Sequence, residues 1–276
     1  SLMKKIFNLT YWFLIGLGSA ALLVLTAAFL YLNPQIPDTR SFSEVALKAP
    51  LRIYSDDGLL IQEFGERLTP VTFEEIPPLF IKALLDTEDK RFFEHSGIDV
   101  VTLVNATWQL VRNRGRIRTG ASTITMQLVK NISGDIEVRF LRKFKEMLLA
   151  IKIERELSKE QILTLYLNII PFGKHAFGIQ AAANTYYGKD VDQLSLAQLA
   201  MLAGIPQAPE AGNPINGPRR SITRRNLVLL RKLEQGSISQ AQYDEAFHSP
   251  ITAQVYVRNV ELPALYAAEM VRKHLL

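Results

Sequence analysis

The longest uncharged segment of the chain lies near its N-terminus, at residues 6–32. Its 27 residues are more than a membrane-spanning helix needs, since about 20 apolar residues cross the hydrocarbon core of a bilayer. Lys4 and Lys5 precede the segment, and aromatic side chains stand near both of its ends. Because positive charge marks the cytoplasmic side, the pattern predicts an uncleaved single-pass anchor with its N-terminus inside. A cleaved signal peptide is the alternative, but its apolar region is normally about 7–15 residues long.

The anchor divides the chain into parts that face different compartments. We expect a cytoplasmic tail at residues 1–5, the transmembrane anchor at residues 6–32 and a linker with three prolines at residues 33–50. The main folded domain is predicted at residues 51–235, and residues 236–276 form a linker or the start of a further region. The chain is therefore expected at the cytoplasmic (inner) membrane, with its main domain in the periplasm or another extracytoplasmic space.

Beyond the linker, hydrophobic spacing predicts a mainly α domain with one small β-hairpin element. Two alternating apolar runs flank Asp57-Gly58, a common signal for a hairpin turn. Ser158 followed by Gln161 predicts a capping box at the start of a helix. The last forty residues are expected to hold a short helix and a strand at residues 252–260. The helices predicted in the main domain are residues 78–90, 99–113, 121–132, 138–156, 159–168, 175–187, 195–204 and 219–235.

Positive charge is concentrated in one part of the chain. Residues 112–155 hold 11 Lys/Arg and 4 Asp/Glu, whereas the whole chain has a formal net charge of +5. Because this region follows the predicted anchor, phosphates of lipid headgroups or of a lipid-linked substrate are expected partners, and nucleic acid is not. A solvated basic loop is the alternative for the four arginines at residues 112–118. The lack of cysteine in the chain excludes disulfides, thiolate metal sites and a cysteine nucleophile.

Two adjacent carboxylates, Glu88 and Asp89, follow an apolar stretch at residues 79–85. A carboxylate against apolar neighbours has a raised pKa, which suits it to accept a proton from a hydroxyl. Adjacent residues of a helix point to different faces, so the two carboxylates are not expected to share one role. The alternative is a surface charge cluster with the neighbouring Lys90 and Arg91.

A second segment, which begins at Gly120, carries groups that suit an anionic ligand. Gly120 and Ser122 open a predicted helix whose free backbone amides can face an anion. Gln127 and Lys130 are three residues apart and therefore share one face of that helix. An ordinary Ser/Thr helix cap explains the same pattern.

A third segment places Arg142, Lys143 and Glu146 within about one helical turn of each other. One interpretation is a routine helix ion pair, which contributes little to stability. The other is a carboxylate that holds a divalent ion while the two cations bind diphosphate oxygens.

These three segments, in this order, resemble the motifs of glycosyltransferase family 51, the peptidoglycan glycosyltransferases. The first resembles E-D-x-x-F-x-x-H-x-G, the second G-x-S-T-I-T-Q-Q-L-x-K-N and the third R-K-x-x-E-x-x-x-A. A fourth and a fifth segment resemble K-x-x-I-L-x-x-Y-L-N and G-I-x-x-A-A-x-x-Y-F/Y-G-K. Met126 departs from the family where the first of two glutamines is usual, and Lys174-His175 departs where an Arg-Gly-type pair is usual. The matching residues are Glu88, Asp89, Phe92, His95 and Gly97 in the first motif, Gly120, Ser122, Thr123, Gln127, Lys130 and Asn131 in the second, Arg142, Lys143, Glu146 and Ala150 in the third, Lys159, Ile162, Leu163, Tyr166, Leu167 and Asn168 in the fourth, and Gly178, Ile179, Ala182, Ala183, Tyr186, Tyr187, Gly188 and Lys189 in the fifth.

The resemblance implies a lysozyme-like, mostly helical domain that polymerises lipid II outside the cytoplasmic membrane. The acceptor hydroxyl of lipid II would attack the anomeric carbon of a nascent glycan chain, forming a β-1,4 bond with inversion and releasing undecaprenyl diphosphate. Glu88 is implied as the general base of this reaction. Glu146 is implied as a second catalytic carboxylate, which positions a divalent cation (Mg²⁺ or Mn²⁺) or orients nearby basic side chains.

The resemblance also assigns roles to residues around the two carboxylates. Basic side chains would stabilise the leaving diphosphate, polar ones would line the donor side, and three residues after Glu88 would shape their loop. The basic side chains are Lys130, Arg142 and Lys143, and the polar ones are Ser122, Thr123, Gln127 and Asn131. The three residues that would shape the loop are Asp89, Phe92 and His95.

The layout of anchor, linker, hairpin and helical domain further resembles the N-terminal part of class A penicillin-binding proteins. The chain lacks the transpeptidase set of Ser-x-x-Lys, Ser-x-Asn and Lys-Thr-Gly that follows in such proteins. Implied partners are lipid II and the nascent glycan chain, membrane lipids, moenomycin-type inhibitors and cell-wall synthesis proteins. Two other functions stay open: a lysozyme-like glycan hydrolase or lytic transglycosylase, and a non-catalytic membrane-anchored scaffold for the cell wall.

Overall fold

The computed structural model describes residues 2–35, 51–54, 60–64, 70–112, 120–133 and 139–256. This part of the chain is mainly helical, which confirms the predicted fold class. Short 3₁₀ helices lie at Asn33–Gln35, Phe73–Glu75 and Val191–Gln193. The longer elements are α1 (Leu2–Leu32), β1 (Leu51–Tyr54), β2 (Leu60–Phe64), α2 (Pro78–Glu88), α3 (Val100–Arg112), α4 (Ile124–Ser133), α5 (Arg139–Glu156), α6 (Lys159–Ile169), α7 (Ile179–Tyr187), α8 (Leu196–Ala203), α9 (Pro218–Glu234) and α10 (Gln240–His248).

Helix α1 is the helix that the uncharged N-terminal segment predicts. Its stretch Lys4–Leu32, 29 residues long, is long and apolar enough to cross a membrane. Large apolar side chains such as Trp12 and Phe13 are exposed along it. A helix that is apolar on every face suits surroundings of lipid. The orientation of the anchor across the membrane stays a prediction.

The short strands β1 and β2 pair antiparallel, with Leu51 opposite Phe64 and Arg52 opposite Glu63. The Asp57-Gly58 turn predicted between them lies outside the described residues. Residues 36–50 of the predicted linker lie outside them as well. The hairpin as a whole and the boundaries of the linker therefore stay predictions.

Most predicted helices agree with the structure, and three predictions need correction. The helix predicted at residues 121–132 begins at Ile124, and the one predicted at residues 175–187 begins at Ile179. The strand predicted at residues 252–260 is absent from its described part, residues 252–256. There the N–H of Gln254 donates to the carbonyl of Tyr186 at the end of α7, so this segment binds a helix end and not a neighbouring strand.

Helix α6 is central to the buried core and packs against α4, α5 and α7. The predicted capping box starts it: the Ser158 hydroxyl accepts from the N–H of Gln161, and the Gln161 amide oxygen accepts from the N–H of Ser158. Asn168 near its end pairs with both backbone groups of Val71, at 2.9 Å each. The segment that matches the fourth motif is therefore fixed at its start by a helix cap and at its end by the contact of Asn168 with Val71.

Helix α2 packs against α8 and α9. Lys232 of α9 is buried, and its ammonium group donates to the carboxylate of Asp86 and to the side chain of Gln235. A buried charge is tolerated only when it is paired and hydrogen-bonded in this way. The ion pair fixes the C-terminal turn of α2, which ends at Glu88.

A left-handed turn between α6 and α7 explains the late start of α7. Gly173, Lys174 and His175 have φ angles of 77°, 53° and 59°, so three consecutive residues leave the right-handed helical region. A Cβ atom at Gly173 would collide with the backbone carbonyl of Pro209, which requires glycine there. Lys174 and His175 therefore adopt a conformation that is costly for residues with a side chain.

Replacing His175 by glycine should stabilise the protein. The left-handed conformation costs a non-glycine residue about 1–2 kcal/mol, and the greater freedom of glycine in the unfolded chain offsets about 0.5–1 kcal/mol. We expect His175→Gly to raise the free energy of unfolding by up to about 1.5 kcal/mol, measured as a higher Tm in detergent. Lys189→Gly, at an exposed position, is the control and should lower the Tm. A lower Tm for His175→Gly would contradict the assigned strain.

Candidate active site

A cleft of about 630 Å³ opens between the C-terminal end of α2, the helices α4 and α5, and the loop after α8. Most of the site residues predicted from the sequence come together there, although they are spread over three motifs. Those that line the cleft are Glu88, Ser122, Gln127, Lys130, Asn131, Arg142, Lys143 and Glu146.

Glu88 is the last residue of α2, and its carboxylate is largely enclosed. Its Oε2 accepts a hydrogen bond of 3.0 Å from the side-chain amide of Gln127. Its Oε1 is buried and accepts no hydrogen bond from a described residue. Burial raises the pKa of Glu88, and the side chains of Gln127, Gln207 and Arg224 oppose this rise. A carboxylate with a raised pKa and one unpaired oxygen suits a general base.

Asp89 has a different environment, although it directly follows Glu88. Its carboxylate is buried and accepts from the backbone N–H of Ile124, at the start of α4, at 2.9 Å. It also lies 3.0 Å from Nε2 of His95, whose Nδ1 accepts from the N–H of Gly97. Because Nδ1 is an acceptor, Nε2 carries the proton and donates to Asp89. Asp89 thus joins the loop after α2 to α4 and is not among the residues that line the cleft, which agrees with the expectation that it does not share one role with Glu88.

The loop after Glu88 is fixed by residues of four motifs. Phe92 is fully buried, and the ammonium of Lys159 lies 4.4 Å from the centre of its ring. Gly97 has a φ of 96°, and a Cβ atom there would lie 2.8 Å from the carbonyl of Ala150 on α5. The expectation that Asp89, Phe92 and His95 shape this loop agrees with these contacts.

Thr123 is the predicted substrate-binding residue that does not reach the cleft. It is 2% exposed, and its hydroxyl donates to the carbonyl of Gly97 at 2.7 Å. The same hydroxyl accepts from the N–H of Met126 and so caps α4. Because both capacities of the hydroxyl are used inside the protein, the predicted contact of Thr123 with substrate is not supported. The cap also explains why the helix begins at Ile124.

Basic side chains gather on the side of the cleft formed by α4 and α5. Lys143 donates to the carboxylate of Glu146 at 3.0 Å and to the hydroxyl of Ser122 at 2.7 Å. Arg142 Nε lies 3.8 Å from the other oxygen of Glu146, whose side chain is only 5% exposed. Lys130 is exposed at the cleft. This arrangement suits the binding of an anion with several oxygens, such as a diphosphate.

The described residues do not fit the predicted divalent cation site at Glu146. They contain no group of three or more His, Cys, Asp or Glu side chains that could hold a metal ion. Both oxygens of Glu146 face Lys143 and Arg142, whose positive charges would repel a metal ion. The orienting role, which was the other expectation for Glu146, agrees with this geometry.

Sequence reasoning missed several residues that surround Glu88. Tyr166 matched the fourth motif, with helix packing and ligand binding both open for it, and its hydroxyl donates to Oε1 of Gln127 at 3.0 Å. Gln207 lies in the loop after α8, and Arg224 donates to the carbonyl of Gly204 in the same region. The only signal for this loop was its proline-rich sequence at residues 206–209, which indicates a turn and no chemistry.

The comparison with protein families agrees with the motifs and the cleft. Residues 57–233 match the family described as Transglycosylase. Because the match covers more than half of the chain, the chain belongs to the transglycosylase family. The resemblance to the peptidoglycan glycosyltransferases is thereby confirmed.

Individual relatives carry the name penicillin-binding protein 1A. The chain is 47% identical to that of Pseudomonas aeruginosa over 269 residues, which is 97% of this chain and 33% of the relative. It is 43% identical to that of Escherichia coli over 263 residues, which is 95% of this chain and 30% of the relative. The crystal structure of penicillin-binding protein 1A from Haemophilus influenzae aligns with 80% of this chain and 24% of that one, at 30% identity and a TM-score of 0.44. The chain spans about a third of the length of the curated relatives that it matches.

Removing the negative charge of Glu88 and that of Asp89 by amide substitution should have opposite effects on the stability of the protein. Burial raises the pKa of Glu88, so its ionised form is destabilising. This penalty is absent below the ordinary glutamate pKa of about 4.3 and grows as the pH rises through the folded-state value. Glu88→Gln should therefore raise the Tm at neutral pH and leave it unchanged at pH 4.

Asp89→Asn is the matched control, because it removes a charge from the next residue. It should lower the free energy of unfolding by about 1–3 kcal/mol, since the single oxygen of asparagine can accept from only one of the buried donors of Ile124 and His95, and its NH2 group faces the other. Both variants are checked by thermal unfolding in detergent between pH 4 and pH 8. A lower Tm for Glu88→Gln at neutral pH would show that its carboxylate is a structural partner.

Proposed function

We propose that the chain is a peptidoglycan glycosyltransferase that polymerises lipid II into β-1,4-linked glycan strands. One observation carries the proposal: Glu88, with an unpaired buried oxygen, lines the same cleft as Lys130, Arg142 and Lys143. A base for the acceptor and positive charge for a diphosphate are the two groups that this reaction requires. Membership of the transglycosylase family supports the same substrate class.

In the proposed reaction Glu88 acts on the acceptor. The 4-hydroxyl oxygen of lipid II attacks the anomeric carbon of the nascent glycan chain, and its proton passes to the carboxylate of Glu88. The bond from the anomeric carbon to the diphosphate oxygen breaks, and undecaprenyl diphosphate leaves with the electron pair. Attack opposite to the leaving group inverts the configuration, so an α-linked donor gives a β-linked product.

The basic side chains stabilise the leaving group. Diphosphate develops negative charge as its bond breaks, and preorganised cations lower the energy of that charge. Lys143 is held by Glu146 and Ser122, so it is preorganised before substrate binds. The predicted need for Mg²⁺ or Mn²⁺ stays a prediction, which a chelator added to the polymerisation assay tests.

The remaining partners are proposals that rest on surfaces outside the catalytic pair. Gln127, Asn131 and Ser122 would contact the donor or a moenomycin-type inhibitor, because their polar groups line the cleft. Membrane lipids would surround α1, and an exposed apolar face on α3, formed by Val100, Val104 and Trp108, supports contact with the same membrane. The N-terminus would lie inside, and the cleft in the periplasm beside other cell-wall synthesis proteins.

The hydrolase alternative is less well supported by the cleft. A glycosidase canonically uses two carboxyl groups that flank the scissile bond, one of which donates a proton. Among the residues lining the cleft, the carboxylates are Glu88 and Glu146, and Glu146 is engaged by Lys143 and Arg142. A non-catalytic scaffold would not require a buried, unpaired carboxylate oxygen at all.

The proposal predicts that Glu88→Gln abolishes polymerisation of purified lipid II. Loss of a general base lowers kcat by about 10²–10⁴-fold. Glu94→Gln is the control, since Glu94 is an exposed carboxylate that pairs with Arg91, and it should keep full activity. Polymerisation at the full rate by Glu88→Gln would refute the assignment. Release of soluble fragments from finished peptidoglycan would favour the hydrolase.

The cationic side of the cleft predicts weaker inhibitor binding by Lys130→Ala. A moenomycin-type phosphoglycolipid presents a phosphate, and one charge-assisted hydrogen bond corresponds to about tenfold in affinity. We expect the Kd, measured by fluorescence polarisation, to rise about tenfold. Lys145→Ala, on α5 but away from the cleft, should leave the Kd unchanged. An unchanged Kd for Lys130→Ala would contradict the proposed anion site.

A further inference from the structure

Tyr166 begins a chain of hydrogen bonds that ends at Glu88. The Tyr166 side chain is fully buried in α6, and its hydroxyl donates to Oε1 of Gln127 on α4 at 3.0 Å. The Nε2 atom of the same Gln127 amide donates to Oε2 of Glu88 at 3.0 Å. Three elements that are distant in sequence thus meet in one line of polar groups.

The Tyr166 hydroxyl and the Glu88 carboxylate together set the orientation of the Gln127 amide between them, since the carboxylate only accepts and the hydroxyl can donate to the amide oxygen. A glutamine side chain carries an acceptor oxygen and a donor nitrogen, and the two exchange places when the amide rotates. With the Tyr166 hydroxyl donating to Oε1, Nε2 is turned to Glu88. The rotated amide would place its oxygen against the carboxylate, where two acceptors repel each other.

The orientation of Gln127 also distinguishes the two oxygens of Glu88. Oε2 is engaged by Gln127, whereas Oε1 is buried and accepts no hydrogen bond from any residue in the described part of the chain. The hydrogen bond from Gln127 thus fixes how the carboxylate is turned. A carboxylate held in one orientation is better placed for proton transfer than one that rotates.

We propose that Tyr166 is a positioning residue of the transfer reaction, which acts through Gln127 to hold the carboxylate of Glu88 in a fixed orientation at the cleft. The inference rests on the proposed function, because it needs Glu88 to be the base. Tyr166 does not touch the reacting atoms in this account.

The surroundings of Tyr166 keep its hydroxyl protonated. Burial, and then the charges of Glu88 and Asp89, raise the pKa of Tyr166 well above its ordinary value. The phenol is therefore a donor across the pH range in which the enzyme works. The groups that act on Glu88 itself are Gln127, Gln207 and Arg224, which lower its pKa, and Asp89, which raises it.

Removing the hydroxyl has a consequence that packing alone does not produce. Without it, Gln127 is free to rotate, and the hydrogen bond that lowers the pKa of Glu88 is weakened. The base then binds its proton more tightly, so the acid limb of the pH profile of kcat/KM moves to higher pH. KM for lipid II should hold, since the Tyr166 side chain is fully buried and its hydroxyl donates to Gln127.

The experiment compares Tyr166→Phe with wild type in lipid II polymerisation between pH 5 and pH 9. We expect kcat to fall about tenfold, with KM unchanged and the acid limb shifted to higher pH. Tyr186→Phe is the matched control: Tyr186 is also fully buried, and its hydroxyl donates to the carbonyl of Phe172 at 2.7 Å. It loses a comparable buried hydrogen bond, so its Tm should fall while its acid limb stays in place.

A double-mutant cycle locates the effect in Gln127. Gln127→Met removes the amide, and we expect it to shift the acid limb in the same direction as Tyr166→Phe. In the Gln127→Met background, Tyr166→Phe should cause no further shift, because the path to Glu88 is already broken.

Two results would overturn the inference. One is an acid limb that does not move in Tyr166→Phe while its Tm falls as in Tyr186→Phe, which would assign Tyr166 to packing alone. The other is a further shift in the double variant, which would assign a path without Gln127. A failure of the proposed function is recognised separately, because wild type would then not polymerise lipid II.

Discussion

The buried carboxylate of Asp89 is the interaction on which the rest of the site depends. It accepts from the N–H of Ile124 and from His95, so it ties the end of α2 to the start of α4. These two helices carry Glu88 and Gln127, whose side chains are in contact. Because an unpaired buried N–H costs about 1–3 kcal/mol, no other residue type at position 89 would hold both donors equally well. Glu88, the proposed base, and Gln127 are therefore positioned by a neighbour that is not among the residues lining the cleft.

Two adjacent carboxylates thus acquire different chemistry from their surroundings. Asp89 accepts hydrogen bonds from the N–H of Ile124 and from His95, whereas Glu88 has a buried, unpaired oxygen and burial raises its pKa. The same distinction applies to Glu146, whose charge is balanced by Lys143 and Arg142. In the proposed function these three acidic residues serve as a structural link, as the base and as the partner of two cationic side chains. Residue type alone does not determine such roles, because pKa depends on burial and hydrogen bonds.

The cleft combines rigid and charged parts in an order that suits group transfer to an acceptor. Buried hydrogen bonds hold the acidic side through Gln127 and Tyr166. The basic side is more exposed, with Lys143 and Arg142 side chains 42% and 35% accessible. A buried carboxylate and partly exposed cations fit the proposed reaction. The carboxylate would accept a proton within the cleft, and the cations would stabilise a diphosphate that leaves toward the membrane surface. The anchor α1 would keep the cleft close to that surface.

The sequence by itself determined which segments are helical, where the apolar anchor lies and in what order the motifs follow, because periodicity and capping residues act over short distances. It also selected Glu88, Lys143 and Glu146, since their motifs are local. Only the tertiary structure decided which motif residues meet the cleft. Thr123 is used inside the protein, and Tyr166, 39 residues from Gln127, orients the amide beside the base. Burial and the direction of a hydrogen bond arise from contacts between distant elements, so no local pattern contains them.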